Sequence, residues 1–418
     1  MRKALIICDV FPPAFAPRMG YLARYIEELS WMADIITSDH RGYGNYESLV
    51  GDHKIVRVNL LPDDLPPYLF GRIKRMLMAK NRFFSNKKPY IKAAMKMNQK
   101  YDIILVSNSW SMYVLEAGLE VAKQLGIPLV VDLRDIQEQR PVKEQTYKGI
   151  KEIVIEYFNN SFAKSLLKLR NEVLPLASAV TTVSPWHAEQ LTKYNKNTFC
   201  IYNGYDPDTF YPVQQIKINQ FKIIYTGSIN SIELRDPTLL FEATAKLKKK
   251  GIIQPETFRI QFYSPKNDED RINGMKSYHD IKEFVDFFRY IETSEVPNLL
   301  STASIALLLT NLTNSDGPKG VISTTRFFEY IAVERPILCV RSDESLMEEG
   351  IKEANAGVSA RTANEAYDFI LEKWLEWKEK GYTTVKVNQE YKKQFSRKLQ
   401  AGQFVEIFEK VIAKENTK

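Results

Sequence analysis

The feature that most constrains this chain is a series of apolar segments only four or five residues long, each followed by a helical pattern, and the series runs twice. The first pass gives Ala4–Cys8, Ala33–Thr37, Ile55–Val58, Ile103–Val106, Leu129–Leu133, Val180–Val183 and Phe199–Tyr202. Continuous apolar runs of this length, alternating with helices such as Tyr21–Leu29 and Ser111–Leu125, predict a parallel sheet buried on both faces. A dense turn signal follows at Asn203-Gly204-Tyr205-Asp206-Pro207. The pattern then restarts with strands at Lys222–Thr226, Arg259–Tyr263, Val285–Phe288, Ile305–Leu309 and Ile337–Val340, and helices at Pro237–Lys249, Val296–Thr302 and Thr325–Val333. We therefore expect two doubly wound α/β domains, over residues 1–205 and 206–387, with a hinge near 204–215. A helical run over Asn388–Ala413, within a last segment 388–418, is expected to return to the first domain. The long helical stretch Lys148–Ser165 is expected to cover a sheet edge or an inter-domain surface.

Composition excludes several classes. Three cysteines in 418 residues cannot form a disulfide framework, and they fit a reducing cytoplasm. Four scattered histidines and the lack of a CxxC pair give no metal site. No apolar run approaches the ~20 residues of a membrane-spanning helix, and the start of the chain, broken by Asp9 and Pro12-Pro13, does not read as an export signal. The net charge of +7 is unevenly placed: residues 66–100 hold ten Lys/Arg and no acidic residue, so the rest of the chain is net negative. That segment mixes its cations with aromatics and methionines, which suits an anionic membrane surface or an anionic acceptor. A solvated helix pair packed on its own domain fits as well. A nucleic-acid patch fits less, because no nucleic-acid motif accompanies it.

Ligands of open parallel sheets bind at the carboxyl ends of the strands, so chemistry is sought there. The loop Asp9–Gly20 is proline-rich and ends in a glycine before a helix, where backbone N–H groups can approach a polar ligand. Asp132, Arg134 and Asp135 end a strand; Asp135 can hold a sugar hydroxyl or assist proton transfer, or the three can form a local ion pair. A third strand runs into Gly227-Ser228, with Arg235 just before a helix. A guanidinium there suits phosphate oxygens, a surface ion pair being the alternative. The strongest signal is the glycine-containing loop Gly317–Thr325, with Lys319, Gly320 and Ser323, leading into a helix that carries Arg326 and Glu329. Three residues apart, Arg326 and Glu329 share a helix face, where they can meet phosphate and ribose, or pair with each other.

The segment Arg326–Leu338, RFFEYIAVERPIL, resembles the KLFEYLAxGKPVL-type segment of retaining nucleotide-sugar glycosyltransferases of family 4 with the GT-B fold. Ala177–Ser184 with Tyr202–Phe210, Tyr225–Leu240, Tyr290–Leu309 and Phe395–Arg397 resemble further segments of that family in the same order, over nearly the whole chain. The resemblance implies two Rossmann-like domains facing across a cleft, an acceptor-binding first domain and a donor-binding second one. It implies that Gly20 lies in a loop near the donor phosphates, and that Gly227, Ser228 and Arg235 line the diphosphate. Arg326 takes the place of the family's lysine, Glu329 faces the ribose, and Tyr290 and Ile291 lie where the base packs. Two departures stand out. Val321 occupies the place of the first glutamate of the Glu–seven residues–Glu motif, so the backbone of Gly320–Ser323 or Lys319 would contact the sugar instead. The usual cleft histidine is missing from Ser107-Asn108-Ser109-Trp110.

The implied reaction is transfer of a sugar from a nucleoside-diphosphate sugar of UDP type to a lipid-linked or saccharide acceptor hydroxyl, with retention and without metal or other cofactor. The expected setting is surface polysaccharide or glycolipid synthesis, in the cytoplasm or at the inner face of the cell membrane. A nucleotide-sugar epimerase of the same fold and a non-catalytic nucleotide-sugar binding protein are the alternatives.

Overall fold

The computed structural model describes residues 1–14, 16–39, 46–60, 87–108, 112–139, 164–214, 216–310 and 324–415. The chain divides into two compact units: unit 1 comprises Met1–Tyr202 with Arg397–Lys418, and unit 2 comprises Asn203–Ser396.

Unit 1 is built on seven parallel strands in the order β3-β2-β1-β4-β5-β6-β7. They are β1 (Arg2–Cys8), β2 (Trp31–Ser38), β3 (Ile55–Val58), β4 (Ile103–Asn108), β5 (Leu129–Leu133), β6 (Ala179–Thr182) and β7 (Thr198–Cys200). The apolar runs became strands because the sheet is covered on both faces. Leu5, Ile7, Ile104 and Val106 face one cluster, and Ala4, Ile6, Ile103 and Leu105 face another. Helices α1 (Pro17–Ile26), α2 (Lys87–Lys96), α3 (Tyr113–Leu125) and α4 (Pro185–Thr192) surround it. Of the basic segment 66–100, residues 87–100 are described. They hold α2, whose Tyr90, Ala93 and Ala94 are buried against the sheet while lysines flank them. The rest of that segment, and Lys148–Ser165 apart from its last two residues, lie outside the described residues.

Unit 2 repeats the topology with six parallel strands in the order β10-β9-β8-β11-β12-β13. These are β8 (Phe221–Thr226), β9 (Phe258–Tyr263), β10 (Val285–Phe288), β11 (Ile305–Leu309), β12 (Ile337–Val340) and β13 (Gly357–Ala360). The helices that concern the argument are α5 (Thr238–Lys249), α6 (Lys266–Asn273), α7 (Arg326–Ala332), α8 (Leu346–Glu353) and α9 (Ala363–Lys380). In both units the order reverses beside the first strand, between β1 and β4 and between β8 and β11. These reversals are the points where parallel sheets open a crevice for ligands.

Three sequence expectations change. The edge strand β13 escapes apolar patterning because its four residues, Gly357-Val358-Ser359-Ala360, are small and include one polar side chain. Its Gly357 has φ +152°, and a Cβ there would stand 1.9 Å from the Ile337 carbonyl oxygen. Helix α1 begins at Pro17 rather than Tyr21, because proline is pre-set for a first helical turn. The C-terminal run is two helices, α10 (Gln389–Lys393) and α11 (Arg397–Glu415), rather than one. Phe395 breaks it: its carbonyl accepts from the Tyr205 N–H at 3.0 Å, and its ring packs on Phe327, Phe328 and Tyr391. Helix α11 then lies on the unit 1 sheet beside α1, burying Ala401, Phe404, Ile407, Phe408 and Val411 from one stripe. Trp31 stacks near Phe408 and donates to Glu409.

Candidate active site

At the reversal of unit 2, β8 delivers Tyr225, Thr226, Gly227 and Ser228 in succession. Gly227 has φ +100°, and its N–H donates to the Tyr263 carbonyl at 2.8 Å. A Cβ at this residue would sit 1.3 Å from Nη2 of Arg326. Only glycine therefore leaves room for the guanidinium, which lies on the Tyr225 ring with its centre 5.5 Å from the ring centroid. Arg326 opens α7, and α7 is fixed to β8 by Tyr330, whose hydroxyl meets both the N–H and Oγ1 of Thr226. Burial pushes the pKa of the Tyr330 phenol up to about 12, against the opposing pull of Arg326 and of the Thr226 hydrogen bonds.

Arg326 donates to Thr324 Oγ1 at 3.2 Å. No ion pair joins it to Glu329 among the described residues, although the Glu329 charge acts on it. Burial disfavours its charge, but Tyr225, Tyr330, Glu329 and Tyr290 together hold its pKa above the ordinary value. A second cation converges on the same turn. Arg235 Nη1 donates to the Ser228 carbonyl at 2.6 Å, and burial together with the Arg326 charge lowers its pKa. Asp268 acts on Arg235 but makes no ion pair with either arginine among the described residues: it is buried, accepts from the Ile229 N–H at 2.7 Å and pairs with Arg271. Ser228 holds the turn by hydrogen bonds with Asn230.

Tyr290 follows β10, is half exposed, and is close enough to Arg326 and Glu329 to feel both charges. It borders a pocket of about 430 Å³ lined also by Ser264, Lys266, Glu269 and Phe288. Unit 2 thus brings Gly227, Ser228, Arg235, Arg326, Glu329 and Tyr290 into one neighbourhood, with Ile291 next to it in the chain. Lys319, Gly320, Val321 and Ser323 lie outside the described residues. The sequence does not single out Tyr225 and Tyr330, which support Arg326 and α7; their signal is position, one two residues before the strand-end glycine and the other one turn along from Arg326.

Two candidates belong to unit 1. Gly20 is the fourth residue of α1 and not part of the loop before it; a Cβ there would come within 2.7 Å of Pro12 and 3.0 Å of Leu49, so the residue serves close packing. Asp135 is exposed just beyond β5. Asp132 is fully buried and grips Arg18 with both oxygens, at 2.9 and 3.1 Å, while accepting from Ser107 and Thr181.

Solved structures share this architecture. The chain aligns over 99% of its length with all of sucrose-phosphate synthase from Thermosynechococcus elongatus, at 14% identity and a TM-score of 0.64. It aligns over 98% with 98% of a glycosyltransferase from Rickettsia africae, at 13% identity and 0.61. With the lipopolysaccharide outer core galactosyltransferase WaaB, 97% of this chain covers 98% of that one, at 10% identity and 0.58. The fold is therefore GT-B, two Rossmann-like domains in one chain. No curated protein matches the chain in sequence. Residues 18–209 match the model of Glycosyltransferase Family 4.

Proposed function

We propose that the protein transfers a sugar from a nucleoside-diphosphate sugar, of UDP type, to a lipid-linked or saccharide acceptor hydroxyl, with retention of anomeric configuration. The observation that carries this reading is the pair of guanidiniums, Arg326 and Arg235, brought to one glycine turn with no carboxylate paired to either among the described residues. Two such cations beside a backbone with no side chain form a seat for a diphosphate. The exposed Tyr290 and its pocket offer a surface for the base, and Glu329 an acceptor for ribose hydroxyls.

The chemistry follows from the leaving group. As the anomeric carbon–oxygen bond breaks, negative charge grows on the β-phosphate and the sugar takes oxocarbenium character. Arg326 and Arg235 stabilise that charge electrostatically, the role a metal ion plays elsewhere. The acceptor oxygen attacks from the face the diphosphate leaves, and its proton passes to a phosphate oxygen. Asp135 in unit 1 is the proposed aid to that proton transfer. The basic segment 66–100 suits an acceptor held at the inner face of a membrane, and the product suits surface polysaccharide or glycolipid. Among the described residues no helix is long and apolar enough to cross a membrane.

Replacing Arg326 by Ala tests the reading. Transfer should fall roughly 10²- to 10³-fold, the cost of removing one donor from a charge-stabilising site. Unchanged turnover in Arg326→Ala and Arg235→Ala would reject the assignment. Sugar turnover without any acceptor would point to an epimerase, and donor binding without turnover to a binding protein.

A further inference from the structure

We propose that unit 1 contains a built anion site, centred on Arg397 with Arg134 and Gln400, which holds an acidic group, phosphate or carboxylate, of the acceptor. The proposal rests on the glycosyltransferase reading above for the word acceptor, but the anion site itself does not depend on it.

Buried polar groups almost always find partners, and the exceptions call for an explanation. In this neighbourhood three buried donors have none: Nε of Arg397, Nε of Arg134 and Nε2 of Gln400. All three lack the same thing, an acceptor. They form one cluster, since Arg397 Nη1 donates to Gln400 Oε1 at 3.1 Å and the Arg134 charge acts on Arg397.

The charge accounting agrees. Arg397 is 4% exposed. Its guanidinium lies over the Tyr21 ring, 5.6 Å from the centroid, and it has no ion pair among the described residues. The groups that act on it most are the cations Arg18 and Arg134 and the phenols Tyr21 and Tyr46, none a carboxylate. Burial and the neighbouring Arg18 cation pull its pKa down to about 10. Of the buried carboxylates at this end of the sheet, Asp132 is already engaged by both arms of Arg18, and Asp9, which acts on Cys8 together with Arg134, is not among the groups that act most on Arg397. Arg397 is also the first residue of the 19-residue helix α11, where the helix dipole favours an anion over a cation. A buried cation beside another cation, at the positive end of a helix and with an unfilled donor, is costly for the protein alone. An oxyanion removes all of these penalties together.

Position then selects the ligand. Arg134 is the first residue beyond β5, and Arg18 follows β1 in α1, so the cluster stands at the carboxyl end of the unit 1 sheet, next to the exposed Asp135. An acceptor lying along this end would place an acidic substituent on Arg397 and Arg134.

The test uses the full chain carrying Arg235→Ala and Arg326→Ala, so that the unit 2 cations are silent, with inorganic phosphate and acetate as probes in calorimetric titration. Saturable binding of either anion should persist in that parent. Adding Arg397→Met should weaken it at least about tenfold, and Arg134→Met several-fold. Phosphate bound in preference to acetate identifies a phosphorylated acceptor; the reverse order identifies an acidic sugar. The melting temperature without ligand separates this from a structural role. Arg397→Met should leave it unchanged or raise it, because an uncompensated charge is removed. The proposal is overturned if neither anion binds the parent, if Arg397→Met binds like the parent, or if Arg397→Met melts lower without ligand. Should Arg326→Ala alone leave nucleotide binding intact, the donor reading fails while these readouts stand.

Discussion

The two sheets share one strand order, yet the arginines at their reversals live in opposite surroundings. In unit 1, Arg18 is 3% exposed and its charge is spent inside the protein. It makes two hydrogen bonds to Asp132 and two more to the Ile201 and Tyr202 carbonyls. In unit 2, Arg326 rests on a tyrosine face and against a glycine, with a threonine hydroxyl and no carboxylate as its partner. Topology puts a cation at each reversal; pairing decides its use. A cation bonded on all sides is a structural tie, whereas Arg326, with no ion pair among the described residues, keeps donors for the proposed diphosphate.

Breaking the unit 1 tie should have the largest effect on folding. Asp132→Ala leaves Arg18 buried without a counter-charge, and urea denaturation should show a loss of about 3–5 kcal/mol. The same measurement on Arg326→Ala should move stability by about 1 kcal/mol or less, while transfer collapses as stated above. A similar stability loss in both variants would erase the comparison.

The comparison extends to pH. His187 in unit 1 is fully buried, neither ring nitrogen has a hydrogen-bond partner, and burial pushes its pKa down to about 4 against the opposing pull of Asp135 and Glu138. Its folded pKa lies below the ordinary 6.5, so the unfolded chain binds the proton first as pH falls. The stability that rests on the neutral ring is present above about pH 6.5 and is lost as pH falls to about 4, amounting to about 3 kcal/mol. His187→Leu should flatten denaturation midpoints between pH 7 and 4.5; an unchanged slope would show that the imidazole does not titrate there.

Smaller effects sharpen the unit 2 side. Gly227→Ala should displace the Arg326 guanidinium, lowering transfer toward the Arg326→Ala level at a folding cost of about 1–2 kcal/mol, read by kinetics and denaturation together. Tyr330→Phe removes the hydroxyl that ties α7 to Thr226 and should cost about 1 kcal/mol of stability with a modest fall in turnover.

Much of this was legible in the sequence because parallel strands buried on both faces must be continuously apolar. Twelve of the thirteen strands follow from that rule, and the exception, β13, is an edge strand whose Gly357 is chosen for a close backbone approach rather than for burial. The helix signals were read less well. Pro17 sits in a proline-rich stretch that reads as loop although it begins α1, and Phe395 fits a helical pattern although its packing on Phe327 and Phe328 ends α10. In the site, Arg326, Gly227 and Arg235 could be picked out because glycine turns and strand ends are local features. The bond between Arg18 and Asp132, 114 residues apart, and the seat that Tyr225 gives Arg326 could not, since each depends on strand pairing that only the folded sheet defines.

The central claim is that the unpaired cations of unit 2 hold a nucleoside diphosphate. Calorimetric titration of UDP into the wild-type chain and Arg326→Ala tests it most directly. The account predicts saturable binding to the wild type and at least about tenfold weaker binding to the variant, with its fold intact. Equal affinity in the two proteins would contradict it.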